Sequence, residues 1–286
     1  MTIIEQMINK YELKTLEDKK NAIKEVLQEV VLAGLSKTDF FTYASFYGGT
    51  ALRIFHGIDR FSEDLDFTLL VSDESFDLKK YLKPISDVVN SLGLDFKASI
   101  KEKTAKSNID SAFIRGNTKE TFLLVYPNTD DYKQIIHNEK ITIKFEVDVN
   151  PPDYATTEIK YRLLPFPYQV RVYDMDSLFA GKLHAVIARG WRSRVKGRDL
   201  YDLVYYLSLN TKVNMNHLDA RLIHSKTIGD NIILTKELLL ELLDERFDTI
   251  DFEKAKQDIK PFIKDQSSLD LWNREFFKAI VRDTNI

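Results

Sequence analysis

The feature that most constrains the fold is a pair of glycines between two different hydrophobic patterns. Phe40–Tyr47 is aromatic and β-prone, and the chain then passes through Gly48-Gly49-Thr50 into Ala51–His56, which has a helical pattern closed by Gly57. The sequence therefore predicts a strand, a tight glycine turn and a helix. Backbone N–H groups and the dipole at such a helix start favour an anion, so phosphate is a natural ligand. A purely structural turn is the competing interpretation.

Acidic and apolar residues alternate in the next segment, Ser62-Glu63-Asp64-Leu65-Asp66-Phe67. On a strand, Asp64 and Asp66 share one face while Leu65 and Phe67 are buried on the other. Carboxylates this close favour a cation between them, and Mg²⁺ is commonly held by carboxylates together with substrate phosphates. A solvated strand edge and the D-x-D of a glycosyltransferase are the alternatives, and the motif alone does not choose between them.

Strand and helix patterns alternate up to the proline pair at 151–152, and helical patterns dominate beyond Tyr173. A helix is predicted over Leu16–Lys37 and another over Leu78–Leu92. Strands are predicted at Asp64–Val71, Leu94–Ile100, Ala112–Ile114, Thr121–Tyr126, Ile141–Val149 and Val170–Tyr173. Helices are predicted at Ser177–Arg189, Asp199–Leu207, Asp219–Ile223, Lys236–Leu243 and Leu269–Arg282. We therefore expect an α/β domain over residues 1–175 and a helical domain over residues 176–286.

Composition excludes several classes of protein. The chain has 286 residues, and its 41 Lys and Arg against 44 Asp and Glu give a net charge of −3, so any anion site must be local. The absence of cysteine excludes disulfides, thiolate zinc sites and cysteine nucleophiles. No apolar run approaches the roughly 20 residues of a membrane span, and the start does not read as a signal peptide. We expect a cytoplasmic protein that does not bind membranes.

A cationic stretch follows Lys182 in the C-terminal half of the chain. Trp191 is interleaved in it, and no acidic residue interrupts it before Asp199. Its basic side chains suit RNA or a triphosphate, although a solvated helix end would have the same composition. They are Arg189, Arg192, Arg194, Lys196 and Arg198. Asp199 and Asp202 come next, three residues apart on one helix face, with a helix cap as the alternative role for Asp199.

Four motifs in this order resemble those of the AbiEii/AbiGii nucleotidyltransferase toxins, a branch of the DNA polymerase β superfamily. They are Gly-Gly-Thr-Ala-Leu-Arg at 48–53, Arg-Phe-Ser-Glu-Asp-Leu-Asp-Phe at 60–67, Gly-Lys-Leu-His-Ala at 181–185 and Arg-Asp-Leu-Tyr-Asp-Leu at 198–203. The resemblance implies a nucleotidyltransferase fold, with a mixed central β-sheet flanked by helices and an all-helical C-terminal domain. It makes residues 1–175 the nucleotidyltransferase domain, with its N-terminal helix.

The resemblance also implies roles for individual residues. Gly48, Gly49 and Thr50 would cradle the triphosphate, with Arg53 and Ser62 as further phosphate contacts. Asp64 and Asp66 would hold the metal, and Lys182 would meet the phosphates. Asp199 and Asp202 would serve in catalysis or base recognition. Glu146 and Asp148 share one strand face; either can supply the third carboxylate, and Asp148 is placed among the metal ligands.

The implied reaction is transfer of a nucleoside monophosphate from an NTP, with Mg²⁺ or alternatively Mn²⁺ as cofactor. The implied acceptor is RNA, with tRNA as the first expectation, or a protein hydroxyl, and the cationic stretch is where RNA is expected to dock. The resemblance places the protein in a bacterial toxin–antitoxin and abortive phage infection system, with an antitoxin that acts directly or indirectly. A catalytically silent nucleotide- or RNA-binding module and a metal-dependent nuclease are the alternatives. The preferred NTP and the oligomeric state stay open.

Overall fold

A computed structural model describes residues 2–101, 107–127, 129–190 and 195–283. The chain divides into two compact units. The first comprises the chain up to Phe55, then Phe61–Pro151 and Ile159–Val172, and the second comprises His56–Arg60, Pro152–Glu158 and the chain from Tyr173 onward. The short segment His56–Arg60 thus belongs to the second unit, although the glycine pair before it and Asp64-Leu65-Asp66 (the D-x-D motif) after it belong to the first.

A seven-stranded mixed sheet organises the α/β part of the chain. Its strands are β1 (Ala44–Tyr47), β2 (Leu65–Leu69), β3 (Phe96–Ile100), β4 (Ile109–Asn117), β5 (Lys140–Asp148), β6 (Thr157–Arg162) and β7 (Tyr168–Tyr173). The spatial order is β3-β4-β5-β2-β1-β7-β6. β2 lies at the centre, antiparallel to β1 and parallel to β5. Phe46, Phe67 and Phe145 from these three strands pack together on the buried face, so the alternate residues of β2 and β5 lie on the other face.

Among the described residues, six α-helices accompany the sheet. They are α1 (Ile3–Ile8), α2 (Leu16–Ser36), α3 (Phe40–Tyr43), α4 (Gly48–His56), α5 (Lys79–Ser91) and α6 (Thr118–Val125). α2 begins with a capping box between Thr15 and Asp18, and it packs against α5 and β5. This long helix is buried along most of its length, which is why it brings polar residues as well as apolar ones into the first unit.

Two local predictions for this part of the chain were wrong, and one strand was missed. Phe40–Tyr43 forms a short helix, so β1 begins only at Ala44. Residues 121–126 were predicted as a strand, but most of them lie in α6, because the Asn117 side chain caps the helix by accepting from the Glu120 backbone N–H at 3.0 Å. β6 was not predicted.

In the part of the chain that the structure describes, the second unit contains six α-helices, as expected for a helical C-terminal region. They are α7 (Met175–Ala188), α8 (Gly197–Ser208), α9 (Met215–His224), α10 (Lys236–Phe247), α11 (Phe252–Ile259) and α12 (Arg274–Asp283). α7 packs against α8, α9 and α10, and the rings of Phe179 and Tyr206 stack at 4.7 Å. α8 approaches α11 so closely that a Cβ on Gly197 would lie 1.9 Å from the Ala255 carbonyl oxygen. None of the helices that the structure describes is long and apolar enough to cross a bilayer.

Candidate active site

Asp66 lies directly against the glycine bend. Tyr47 at the end of β1 pairs with Asp66 in the antiparallel register, and Gly48 follows with φ of +80°. A Cβ on Gly48 would lie 2.8 Å from Asp66 Oδ2. Glycine is therefore needed here twice, for its backbone conformation and for the approach of the carboxylate. The structure brings together the glycine turn and the D-x-D strand, as the sequence argument requires.

The register between β2 and β5 distinguishes the two candidates for the third carboxylate. Asp66 pairs with Glu146, whereas Thr68 pairs with Asp148. Paired residues of neighbouring strands point to the same face, so Glu146 flanks Asp66 and Asp148 lies two residues further on, about 7 Å away along the strand. Asp148 Oδ1 also accepts a hydrogen bond from the Asn150 backbone N–H at 3.0 Å. The geometry therefore favours Glu146 over Asp148 as the neighbour of Asp66.

Two further residues contact Glu146, and the sequence analysis missed both. Lys144 Nζ lies 2.6 Å from Glu146 Oε2, and the Ser111 hydroxyl donates to Glu146 Oε1 at 3.1 Å. Partial burial lowers the pKa of Lys144, but the carboxylates of Glu146, Asp64 and Asp66 outweigh this effect and raise it overall. Lys144 is therefore a firmly charged group on the same face as the acids. Lys144 lies two residues before Glu146, so on a strand both side chains share one face. This spacing is the sequence signal that could have identified Lys144.

The loop before β2 is held by buried polar side chains. Gln28 Nε2 on α2 donates to the carbonyl oxygens of Ser62 at 3.0 Å and Glu63 at 2.9 Å. The fully buried Thr50 hydroxyl donates to the Asp64 carbonyl oxygen and lies 2.9 Å from Ser62 Oγ. Thr50 thus positions the D-x-D strand, and a nucleotide contact from this residue would have to come from its backbone.

Arg53, a second predicted phosphate contact, is engaged within the first unit. Its guanidinium forms an ion pair with Glu25 of α2, with Nε 2.9 Å from Oε2, and lies over the Phe61 ring at 5.1 Å. Tyr11 donates to the other oxygen of Glu25 at 2.8 Å. The partners fix Arg53 against α2, so its predicted role as a phosphate contact stays a prediction.

The oxygen donors on this face suit a hard divalent cation. Among the residues that the structure describes, no three Asp, Glu or His side chains are already arranged around a common metal position. Mg²⁺ usually takes one or two protein carboxylates and completes its shell with water and substrate phosphates. Asp66 lies beside Glu146, and Asp64 directly precedes the first residue of β2. These carboxylates supply the oxygen ligands that Mg²⁺ prefers, on two neighbouring strands.

Five charged side chains form a cluster inside the second unit. Arg60 donates to both carboxylate oxygens of the fully buried Asp202, with Nη2 2.6 Å from Oδ2. Lys182 Nζ lies 2.7 Å from Asp202 Oδ2 and 2.7 Å from Asp199 Oδ1. Arg189 Nε completes the cluster 3.2 Å from Asp199 Oδ2. The third and fourth predicted motifs thus meet here, together with Arg60, which was not among the predicted site residues.

The charges in this cluster hold one another in the ionised state. Burial lowers the pKa of Lys182, but Asp199 and Asp202 raise it overall. Burial raises the pKa of Asp199, but Lys182 and Arg189 lower it overall. The Lys182 side chain is 14% exposed, so its paired and charged ammonium group belongs to a mostly buried side chain.

The predicted RNA-binding residues are only partly described. Arg189 pairs with Asp199, and the Arg198 guanidinium lies over the Phe262 ring at 4.2 Å. Lys196 is half-buried at the start of α8. Arg192 and Arg194 lie outside the described residues. Docking of RNA on this stretch stays a prediction.

Solved structures of similar fold include two bacterial proteins. One is MenT4, a nucleotidyltransferase toxin from Mycobacterium tuberculosis H37Rv, at 16% sequence identity and a TM-score of 0.57, covering 98% of this chain and 90% of MenT4. Another is JHP933 from Helicobacter pylori, at 17% identity and a TM-score of 0.50, covering 92% of this chain and 90% of JHP933. No curated protein sequence matches. The family model for the nucleotidyl transferase AbiEii toxin of type IV toxin–antitoxin systems matches residues 30–279, so the chain belongs to this family of nucleotidyltransferase toxins.

Proposed function

We propose that this toxin transfers a nucleoside monophosphate from an NTP to an RNA hydroxyl, with tRNA as the first candidate acceptor and Mg²⁺ (or Mn²⁺) as cofactor. Family membership gives the enzyme class and implies an NTP substrate and an antitoxin partner. The observation that carries the finer proposal is the position of Asp66, between the Gly48 bend on one side and Glu146 on the other. In this proposal, carboxylate oxygens that can bind a cation lie beside backbone N–H groups that can donate to a phosphate.

The glycine bend would bind the triphosphate through its backbone. The first N–H groups of α4 have no partner within the helix, and the helix dipole favours an anion there. Gly48 and Gly49 carry no side chains to keep a phosphate away. Asp64 and Asp66 would hold the metal, which neutralises charge on the phosphate oxygens when bound.

Glu146 is the third carboxylate in this proposal. Its Oε2 would accept the proton of the attacking hydroxyl, whose oxygen forms the new bond to the α-phosphorus. The bond from that phosphorus to the bridging oxygen breaks, and pyrophosphate leaves. The proposal gives Asp148 no such role, since the strand register pairs it with Thr68 and pairs Glu146 with Asp66.

Lys182 is proposed to meet the phosphates, as the family resemblance implies. Its pairing with Asp199 and Asp202 keeps the ammonium charged. A charged donor near a leaving pyrophosphate stabilises the negative charge that develops there. Within this proposal Asp199 and Asp202 act by holding Lys182, and RNA would dock along the stretch from Arg189 to Arg198. The proposed setting is phage defence by abortive infection, with the antitoxin acting directly or indirectly.

The test is incubation of the purified protein with each α-labelled NTP, Mg²⁺ and total RNA. We expect label in an RNA band, lost in Asp66→Asn. Glu146→Gln and Asp148→Asn form a matched pair, since each removes one charge from the same face of β5. We expect Glu146→Gln to lower the rate at least a hundredfold and Asp148→Asn to lower it by no more than a few fold.

Other outcomes would overturn specific parts of the proposal. Label that stays with protein after ribonuclease treatment would show that the acceptor is a protein and not RNA. Nucleotide binding without transfer would indicate a silent binding module, and shortened RNA would indicate a nuclease. A larger loss in Asp148→Asn than in Glu146→Gln would reverse the assignment of the third carboxylate.

A further inference from the structure

Lys144 lies on the sheet face that carries Asp66 and Glu146, and the proposed reaction gives it no role. It lies two residues before Glu146 on β5, so both side chains point to the same face of the sheet. Its Nζ is 2.6 Å from Glu146 Oε2, while Ser111 donates to Glu146 Oε1. Both oxygens of the proposed third carboxylate are therefore already engaged by donors from the protein.

Lys144 also faces the D-x-D motif. Leu65 pairs with Phe145, so the preceding residues, Asp64 and Lys144, come at the same level of the two strands. The ammonium group interacts favourably with Asp64 and Asp66 as well as Glu146. One positive charge thus compensates part of the repulsion among three carboxylates, which is the task that a bound cation would otherwise perform.

We propose that Lys144 is an internal competitor for the divalent cation, so that the metal binds tightly only together with a nucleotide. This inference rests on the proposed metal site at Asp64 and Asp66, beside Glu146. A cation held by Asp64 and Asp66 beside Glu146 must displace the Lys144 ammonium, which costs the attraction between that ammonium and these carboxylates. The triphosphate offers the displaced ammonium other oxygen partners, so the cost falls when nucleotide and metal bind together.

The experiment measures Mn²⁺ binding to the full chain by electron paramagnetic resonance of the free ion, with and without a non-hydrolysable NTP analogue. Lys144→Met keeps the aliphatic stem and removes the charge. We expect it to lower the Mn²⁺ dissociation constant without nucleotide by about three- to fivefold, the size expected for loss of a partly exposed ion pair. With the analogue present, the difference from wild type should shrink to less than about twofold.

Lys140→Met is the matched control, because Lys140 is an exposed lysine on the same strand. It makes the same change in net charge without removing the contact with Glu146. An equal decrease of the Mn²⁺ dissociation constant in both variants would mean that net charge alone causes the effect, and this would overturn the inference. Unchanged or weaker Mn²⁺ binding in Lys144→Met would also overturn it.

The two proposals fail in different ways. If wild type binds Mn²⁺ with the analogue and Asp66→Asn does not, the metal site stands, and an unaltered Lys144→Met then refutes only the competition. If neither wild type nor Lys144→Met binds Mn²⁺ under any condition, the metal site itself is refuted. A circular dichroism melt of each variant checks that it is folded.

Discussion

Replacing Gly48 by alanine separates the two reasons for a glycine at this position. Its φ of +80° is costly for any residue with a Cβ, by about 1–2 kcal/mol. The new Cβ would also lie 2.8 Å from Asp66 Oδ2, 3.3 Å from its Cβ and 3.5 Å from its Cγ. Rotation of the Asp66 side chain relieves the contact with Oδ2, and a backbone shift of a few tenths of an ångström relieves the contact with Cβ, but the carboxylate then leaves the position that the reaction needs.

Gly57 provides a matched control, because its φ of +78° is nearly the same and a Cβ there would meet nothing within 4 Å. Gly48→Ala and Gly57→Ala should therefore lose similar stability, about 1–2 kcal/mol each in urea denaturation followed by circular dichroism. Their activities should differ. Misplacing a reacting group by about 1 Å costs roughly a hundredfold in rate, so Gly48→Ala should lose that much and Gly57→Ala almost nothing.

The assay is initial rate of label transfer from the α-labelled NTP, measured below the unfolding temperature of both variants. Equal activity of the two variants would mean that the Asp66 carboxylate does not take part in the reaction. Much lower stability of Gly48→Ala than of Gly57→Ala would mean that Asp66 cannot turn away, and that the contact is structural.

Two further predictions concern the second unit. Asp202→Asn removes the fully buried carboxylate that pairs with Arg60 and leaves Lys182 with Asp199 as its remaining acidic partner in the cluster. We expect a loss of about 3–5 kcal/mol in urea denaturation, and a loss below about 1 kcal/mol would contradict a structural role for the cluster. Burial lowers the pKa of His184 to about 3 and that of His217 to about 4, whereas the unfolded chain takes up these protons near pH 6.5. Stability should therefore fall as the pH drops from about 6.5 towards 4, by up to about 1.4 kcal/mol per pH unit for each histidine. Urea midpoints that do not change between pH 6.5 and 5 would contradict this prediction.

The sequence was sufficient to predict the elements that depend on local patterns. The glycine pair ends β1 and begins α4 because no other residue adopts the Gly48 backbone at low cost. The alternation in Leu65-Asp66-Phe67 placed Asp66 on the face opposite the core, and the structure confirms the fold class. The family was also predicted from four short motifs, and the match over residues 30–279 confirms it.

Local patterns were misleading where tertiary contacts decide. The segment from Thr118 to Val125 is rich in β-branched and aromatic residues, but the Asn117 cap and a buried face that includes Phe122 make it helical. Glu146 and Asp148 could not be told apart, because both lie on the same face of one strand. Only the pairing with a strand about 80 residues earlier in the chain distinguishes them, and register of that kind is a long-range property.

Arg60 and Lys144 show that a search for acidic motifs misses the basic residues that pair with the acids. Arg60 precedes the D-x-D motif by a few residues, so the sequence groups the two, yet Arg60 belongs to the second unit and binds Asp202. Lys144 lies in none of the four motifs, yet its ammonium group pairs with Glu146. Buried or clustered carboxylates require compensating positive charge. A predicted acidic site therefore implies a basic residue that pairs with the carboxylates when no ligand is bound.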